Sequence, residues 1–469
     1  MQQAPVELKA SLTLGKKEIP VDARYASRYS LLIRFNNGNS FTDGTEFSGL
    51  TVRVNGSSEK LGRCRLISEP NIDGYAGRIT FVEDVYDLQS LIFDHKVVML
   101  QSAFFNIPLI LGHKQDIRVP FKNYTADLTY DLNVYKSFFD KLDSEHADEP
   151  PEIREAVQQA VINTEGREFM KFLDRGLIEL EKLISGFSRE EHERHGFYFR
   201  KQLWPFIICA PFMARTNLKP RGYAGDSEMM SMIYSNDCWG DSTFAKLMHK
   251  HPVEHPAAQA VRNRRVFIAK KLPQLRHKIR LARGERLKAL SVACGPAREI
   301  QDVMVSEKDF DRYHFTLLDQ DRHALLEAAK GVDRVEKKSG SKLKVDYLNE
   351  SVRTMLTTPK LKSKWGQFHF IYSMGLFDYL TPPVAKAVLN KLYQLLKPGG
   401  EMVIGNFHIS NPSRTYMEYW LDWVLYYRNE QDFVDLFQEA ESADTEVLFD
   451  DTGVQMFLHI RKQEGSRQQ

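Results

Sequence analysis

The stretch "LSVACGPAREI" (290–300) holds the residues best suited to gripping a ligand. Its short apolar run breaks at Gly295-Pro296 and resumes with helix formers, so a buried strand enters a helix through a tight turn. Only a residue without a bulky side chain lets the backbone N–H groups of such a turn approach a ligand closely. Gly295 supplies that position, with the small Ala293 and Ala297 on either side and Cys294 between them. Pro296 suits the first turn of the helix, where its missing N–H costs nothing. About two dozen residues later "FTLLDQD" ends a second apolar run and places Asp319 and Gln320 at its carboxyl end, where an acid can accept two hydrogen bonds from a ribose diol. The three glycines of a dinucleotide fingerprint are absent. The residues predict a site for a nucleoside-bearing cofactor, with Asp319 as a plain helix cap being the alternative.

These residues need elements to position them. From about 287 onward "LKALSVA", "FTLLD", "LKVDYL", "FHFIYSM" and "EMVIGNF" read as parallel strands alternating with helical stretches such as "VAKAVLNKLYQLL". "TEVLFDD" and "VQMFLHIRK", joined at "DTG", lie too close for a crossover and must form an antiparallel hairpin. Together they predict a Rossmann-like α/β sheet of seven strands. Upstream, "SLLIRF", "TVRVNG", "CRLIS", "GRITFV" and "VVMLQSAFF" are short, β-branched and bounded by turn signals, which predicts a small barrel or sandwich. Between these regions Phe169, Phe172, Leu173, Leu177, Leu180, Leu183 and Ile184 recur at helical spacing. "DSEHADEPPE" (143–152) reads as a linker or exposed corner. The expected division is 1–123 for the barrel, 124–284 for a helical linker or lid region, and 285–469 for the sheet.

Composition limits the classes. A chain of 469 residues exceeds one typical core, and 42% hydrophobic with 27% charged residues is ordinary for a globular protein. A net charge of +2 gives no support to nucleic-acid binding. No apolar run approaches the roughly 18 residues of a membrane span, and the N-terminus lacks a signal-peptide pattern. Cys64, Cys209, Cys238 and Cys294 show neither metal-ligand nor disulfide spacing. A cytoplasmic location without a metal is the expectation.

The strand pattern with its terminal hairpin, the small-residue turn, Asp319 and "LLKPGG" before the fifth strand resemble the class I S-adenosylmethionine-dependent methyltransferases, over roughly residues 285–462. The usual loop of that class reads acid-x-Gly-x-Gly-x-Gly; here Ser291 stands in the acid position, and Ala293 and Ala297 replace the flanking glycines. The resemblance implies S-adenosylmethionine as cofactor. Ala293, Cys294, Gly295, Pro296 and Ala297 would line its methionine part, Asp319 and Gln320 its ribose, and Asn349 its adenine. Met374 and Gly375, in "YSMGLFDYL" (372–380), would lie where cofactor and acceptor meet. Asn349 as a turn residue and Met374 as core are the alternatives.

Two further segments, "KPRGYAGDSEMMSMIY" (219–234) and "NPSRTYMEYWLDWVLYYR" (411–428), resemble those of bacterial proteins described as involved in 3-hydroxypalmitic acid methyl ester synthesis. That likeness implies a small-molecule acceptor, a fatty-acid carboxylate. Methyl transfer from a sulfonium is an in-line displacement, which asks the protein to position the acceptor and exclude water. A carboxylate needs a cation or hydroxyl for orientation: Arg215, Lys219, Arg221, Arg414 and Arg428, or Tyr223, Tyr379, Tyr416 and Tyr419. An amine or phenol needs a base, from Asp226, Glu228, His408 or Glu418. Arg221, Tyr223, Asp226, Glu228 and Arg414 lead these candidates. "GYAGD" reads as a lid or as a tight turn between helices. The aromatic cluster from Tyr416 to Tyr427 reads as an acceptor wall or as a buried helix.

Near the N-terminus, Arg24 and Arg28 stand in an R-x-x-x-R arrangement just before the first expected strand and resemble the arginine pair of PilZ domains, small barrels that bind cyclic di-GMP. Guanidinium groups so spaced can chelate a phosphodiester. Ser48 answers to the second PilZ motif, with Glu46 before it and Thr51 where glycine belongs. The resemblances imply a methyltransferase regulated through a PilZ-like module. The alternative is a cyclic di-GMP effector whose methyltransferase fold has lost catalysis and binds a partner.

Overall fold

The computed structural model describes residues 8–27, 30–36, 41–54, 57–72, 75–82, 112, 114–437 and 443–464. The chain forms two compact units, residues 1–126 with 182–201, and 127–181 with 202–469. No helix among the described residues is long and apolar enough to cross a membrane.

In the first unit, β1 (Leu8–Leu14), β2 (Lys17–Ser27), β3 (Ser30–Phe35), β4 (Glu46–Phe47), β5 (Gly49–Val54), β6 (Ser57–Leu61), β7 (Cys64–Ile72) and β8 (Tyr75–Phe81) make one antiparallel sheet, ordered β4-β7-β8-β3-β2-β1-β5-β6. Gly15, at φ 62°, turns β1 tightly into β2. Alternate residues Leu12, Val21, Ala23, Leu31, Ile33, Leu66 and Ile79 share one core. β1 and β2 were not foreseen as strands, because Pro20 and the charges of "KKEIPVD" mask their alternation. Arg24 therefore lies inside the second strand, not ahead of the first. The expected strand "VVMLQSAFF" lies outside the described residues, as does Arg28.

The second unit contains the sheet that builds the site. β9 (Leu287–Val292), β10 (Tyr313–Asp319), β11 (Lys344–Asn349), β12 (Phe368–Ser373), β13 (Leu396–Phe407), β14 (Ala443–Phe449) and β15 (Gln455–Lys462) take the order β11-β10-β9-β12-β13-β15-β14. The first five are parallel, and β15 runs antiparallel to both its neighbours. Runs such as "FHFIYS" are apolar at nearly every position because both faces are covered. Leu290, Ile371, Ile404 and Leu458 face Val388, Leu389 and Leu392 of the helix Pro382–Gln394. Ala289, Phe370, Val403 and Phe457 pack on the other side with Ile268 and Leu272 of the helix Pro256–Lys278. Burying each such side chain is worth about 1.5–3 kcal/mol, which fixes the layers on either side of the site.

Register then aligns the strand ends. Val292 pairs with Leu318, and Asp319 with Asn349, so the turn after β9 stands beside the carboxyl ends of β10 and β11. In an open α/β sheet this edge is where ligands bind.

Candidate functional site

The turn after β9 takes the shape its small residues permit. Ala293, Gly295 and Ala297 all adopt left-handed backbone, at φ 51°, 54° and 46°. The two alanines carry a strain of order 1 kcal/mol each that glycine would avoid, which a built loop tolerates. A Cβ added at Gly295 would meet nothing within 4 Å, so the turn faces open space. Its N–H donates to Asp319 Oδ2 at 2.9 Å, and Asp321 N–H donates to Oδ1 at 2.9 Å. Burial pushes the Asp319 carboxyl up, against the pull of those two donors. Asp319 is thus no cap of the next helix: Asp321 fills that role by accepting from His323 N–H. Asn349 donates from Nδ2 to the carbonyls of Asp319 and Gln320, both at 3.0 Å, which ties these strand ends together. Cys294 lies beside Asp319, and burial pushes its thiol well up, so it stays protonated.

The "RGYAGD" segment closes onto the same strand end. Tyr223 Oη donates to Asp321 Oδ2 at 3.4 Å, and burial, then Asp319 and Asp321, push its phenol far up. Gly222 turns the chain at φ 87°. Gly225 is needed for a different reason: a Cβ there would lie 2.4 Å from Tyr379 Oη and 3.3 Å from the Trp423 ring. The Trp423 indole N–H donates to that same Tyr379 oxygen at 2.8 Å. The segment therefore meets both the end of β12 and the aromatic insertion.

Several residues expected to handle the acceptor have other employment. Asp226 is fully buried, caps the helix Ser227–Ser235 through Met229 N–H, and is gripped by Arg215 at 2.8 and 2.7 Å. Glu228 pairs with Arg215 at 2.9 Å. Arg221 reaches Asp321 at 3.0 Å, Glu327 at 3.2 Å and Ser227 Oγ at 2.5 Å. Arg414 bonds Glu418 one turn along its own helix at 2.8 Å and lies over the Tyr427 ring. The structure brings Tyr223 and Arg221 to Asp321 beside Asp319, and it does not bring Arg414 there.

One residue escaped the sequence. Arg264, in the helix Pro256–Lys278, is only 9% exposed and ends at Met374 and Gly375. It donates to Met374 O at 3.1 Å, and Gly375 lets the guanidinium within 3.3 Å of where a Cβ would stand. Among the described residues no carboxylate lies within ion-pair distance of it. A buried cation is ordinarily paired. Asp378 lies further off, and burial pushes its carboxyl up to about 7.

In the first unit Arg24 is buried, 2% exposed, and lies across β3 from the buried Arg78 through Leu32. Ser48 gives its hydroxyl to Thr13 O at 3.0 Å and its N–H to the same oxygen at 2.8 Å.

No protein-family model matches the sequence, and no curated protein matches it. Solved structures do. A protein described as a possible exported protein from Bordetella parapertussis is 15% identical and aligns over 64% of this chain and 97% of its own, with a TM-score of 0.39. The N-methyltransferase NodS from Bradyrhizobium japonicum WM9 is 14% identical over 42% of this chain and 96% of its own, TM-score 0.28. Magnesium protoporphyrin IX methyltransferase from Synechocystis PCC 6803, with bound SAM, is 10% identical over 44% and 83%, TM-score 0.30. Likenesses this distant carry no argument about this chain. Its Rossmann-like sheet stands on its own strand order.

Proposed function

We propose that the second unit is an S-adenosylmethionine-dependent methyltransferase acting on a small molecule. The observation that carries this is the strand edge itself: a left-handed small-residue turn open to space, with Asp319 and Asn349 aligned beside it. The cofactor would supply an activated methyl group on a sulfonium. Asp319 has oxygen lone pairs to spare for ribose hydroxyls beyond its two backbone donors. Asn349 Oδ1 suits an adenine amine, and the buried Arg264 suits the carboxylate of the methionine part. Tyr223 and Gly225 would cover the bound cofactor and exclude water.

Replacing Asp319 with Ala removes the ribose acceptor. Lost hydrogen bonds to a charged group are worth roughly 1.5–3 kcal/mol, so affinity for S-adenosylmethionine should fall about ten- to a hundredfold. Calorimetry reads this directly. An unaltered affinity, or no heat with the unmutated protein, would defeat the assignment.

For the first unit we propose a PilZ-like barrel that takes cyclic di-GMP. The support is the continuous run β4–Ser48–β5, which pairs with β7 through β4 and with β1 through β5 and so ties one end of the strand order to the strand next to the other end. Regulation of the second unit by this module would require, by linkage, that the dinucleotide change affinity for S-adenosylmethionine and be changed by it equally. Binding that survives Arg24→Ala combined with Arg28→Ala would move the nucleotide elsewhere.

A further inference from the structure

Behind the aromatic insertion lies an enclosed, mostly apolar cavity of about 20 Å³, lined by Phe212, Phe407, Tyr416, Met417 and Trp423. It has room for one water-sized group. A chain of three polar side chains runs outward from it. Tyr416 Oη lies 2.8 Å from His251 Nδ1, and His251 Nε2 lies 3.0 Å from Asp174 Oδ1. A carboxylate only accepts, so Nε2 carries the ring proton and Nδ1 accepts from Tyr416. Tyr416 and His251 are buried, whereas the Asp174 side chain is 56% exposed. The chain therefore leads from the cavity wall to solvent. His255, its ring 5.7 Å from that of His251, is held neutral by burial, at about 4, and bonds Ser413 Oγ at 2.8 Å.

We propose that Tyr416, His251 and Asp174 are a proton relay for the acceptor, and that the acceptor bears an alcohol or phenol hydroxyl on an apolar body. This rests on the methyltransferase reading above and names its substrate class. A carboxylate acceptor has no proton to lose and wants a cation, but Arg221 and Arg414 are both held by acids and neither lines the cavity. Methylating a hydroxyl releases one proton. The acceptor oxygen's electron pair forms the new C–O bond, and the pair of the broken C–S bond stays on sulfur. The hydroxyl proton passes to Tyr416 Oη as the Tyr416 proton passes to His251 Nδ1. The imidazolium then loses its Nε2 proton through Asp174 to water, and after product release proton exchange with solvent restores the Nε2–H tautomer that faces the carboxylate. Burial keeps the Tyr416 phenol protonated at rest, as this exchange requires.

The wall must part to admit the acceptor's body, and it is built on strained backbone. Asp422, one residue before Trp423, sits at φ 47°, and its ion-pair partner Lys219, beside the "RGYAGD" segment, at φ 46°. Non-glycine residues in that region persist where the surroundings hold them, often at moving parts.

The test uses the full chain, S-adenosylmethionine, and the matched probes p-cresol and p-toluate. p-Cresol should be methylated and p-toluate not. Tyr416→Phe and Asp174→Asn should each lower kcat for p-cresol about a hundredfold, with affinity for S-adenosylmethionine unchanged. Asp174→Asn sits at the surface and should leave the fold intact. A second reading needs no turnover: the absorbance of bound p-nitrophenol reports its ionisation, whose midpoint should rise by about one pH unit in either variant. Preference for p-toluate, no turnover of either probe by cofactor-bound protein, or variants within twofold of the parent would overturn the relay. Failure to bind S-adenosylmethionine at all would overturn instead the reading beneath it.

Discussion

Replacing Arg264 with Met should weaken S-adenosylmethionine binding by about thirtyfold or more while leaving the protein as stable as before, or more so. Losing one partner of a buried charge pair costs about 2–5 kcal/mol of affinity, which is about thirty- to several-thousandfold. Stability should move the other way, because a buried guanidinium with no carboxylate beside it is an unpaid desolvation cost in the free protein. Met keeps the length and apolar stem that pack against the neighbouring helix. The lost bonds to Met374 O, Met230 Sδ and the Tyr234 side chain offset part of that gain in stability. Methylthioadenosine, which has no methionine carboxylate, gives the control: its affinity should be indifferent to the change. Calorimetry with both ligands checks this. An Arg264→Met protein that binds S-adenosylmethionine within threefold of the parent would leave the guanidinium a structural group.

Arg264 also shows where sequence reading stops. "VRNRRVF" offers three arginines in four positions, and nothing in their order says which one turns inward. Arg265 pairs with Asp302 and Arg262 binds helix-end carbonyls; only packing separates Arg264 from them. The relay was hidden for the same reason. Asp174, His251 and Tyr416 come from three distant segments, and each alone is an ordinary helical residue. The turn after β9 was legible because strand, small residues and helix are contiguous there. Asp319 and Asn349 were legible because each ends an apolar run, and parallel register brings run-ends together.

The misreadings have physical causes too. Asp226 looked like a base because it follows glycine and precedes a helix, which is also where a cap belongs. Arg221 looked free because its four acids are spread from 226 to 327. The aromatic insertion offered a wall for an acyl chain, but Tyr416, Tyr419, Trp420 and Trp423 are all buried, and the cavity beside them holds about 20 Å³. The alternative reading, a buried helix, matches that burial. Only the three-dimensional packing says that the wall is already covered.

Buried histidines should cost this protein stability as pH falls from about 6.5 toward 4. His249, His255 and His369 are each held down to about 4, chiefly by burial, against an unfolded value near 6.5. Between those values the unfolded chain binds protons that the folded one refuses. Stability is therefore full above about pH 6.5 and lost as pH falls toward 4. Each histidine contributes a slope of about 1.4 kcal/mol per pH unit, somewhat less for the half-buried His255. Asp378 opposes them. Its carboxyl is pushed up to about 7, so between roughly 4 and 7 the folded chain holds a proton that the unfolded chain has lost, and stability gains as pH falls. Asp319, Glu299 and Glu418, which burial also pushes up, lean with Asp378, and His195, which burial pushes down, leans with the other histidines. Denaturant unfolding at pH 7, 6 and 5 measures the balance. His249→Asn and His369→Asn keep an acceptor for the Phe212 and Lys288 N–H groups that now bond the ring nitrogens, but they cannot titrate. Their combination should make the loss of stability per pH unit smaller by up to about 2.8 kcal/mol relative to the parent. A combined variant whose profile parallels the parent's from pH 7 to pH 5 would show that these rings take up protons in place.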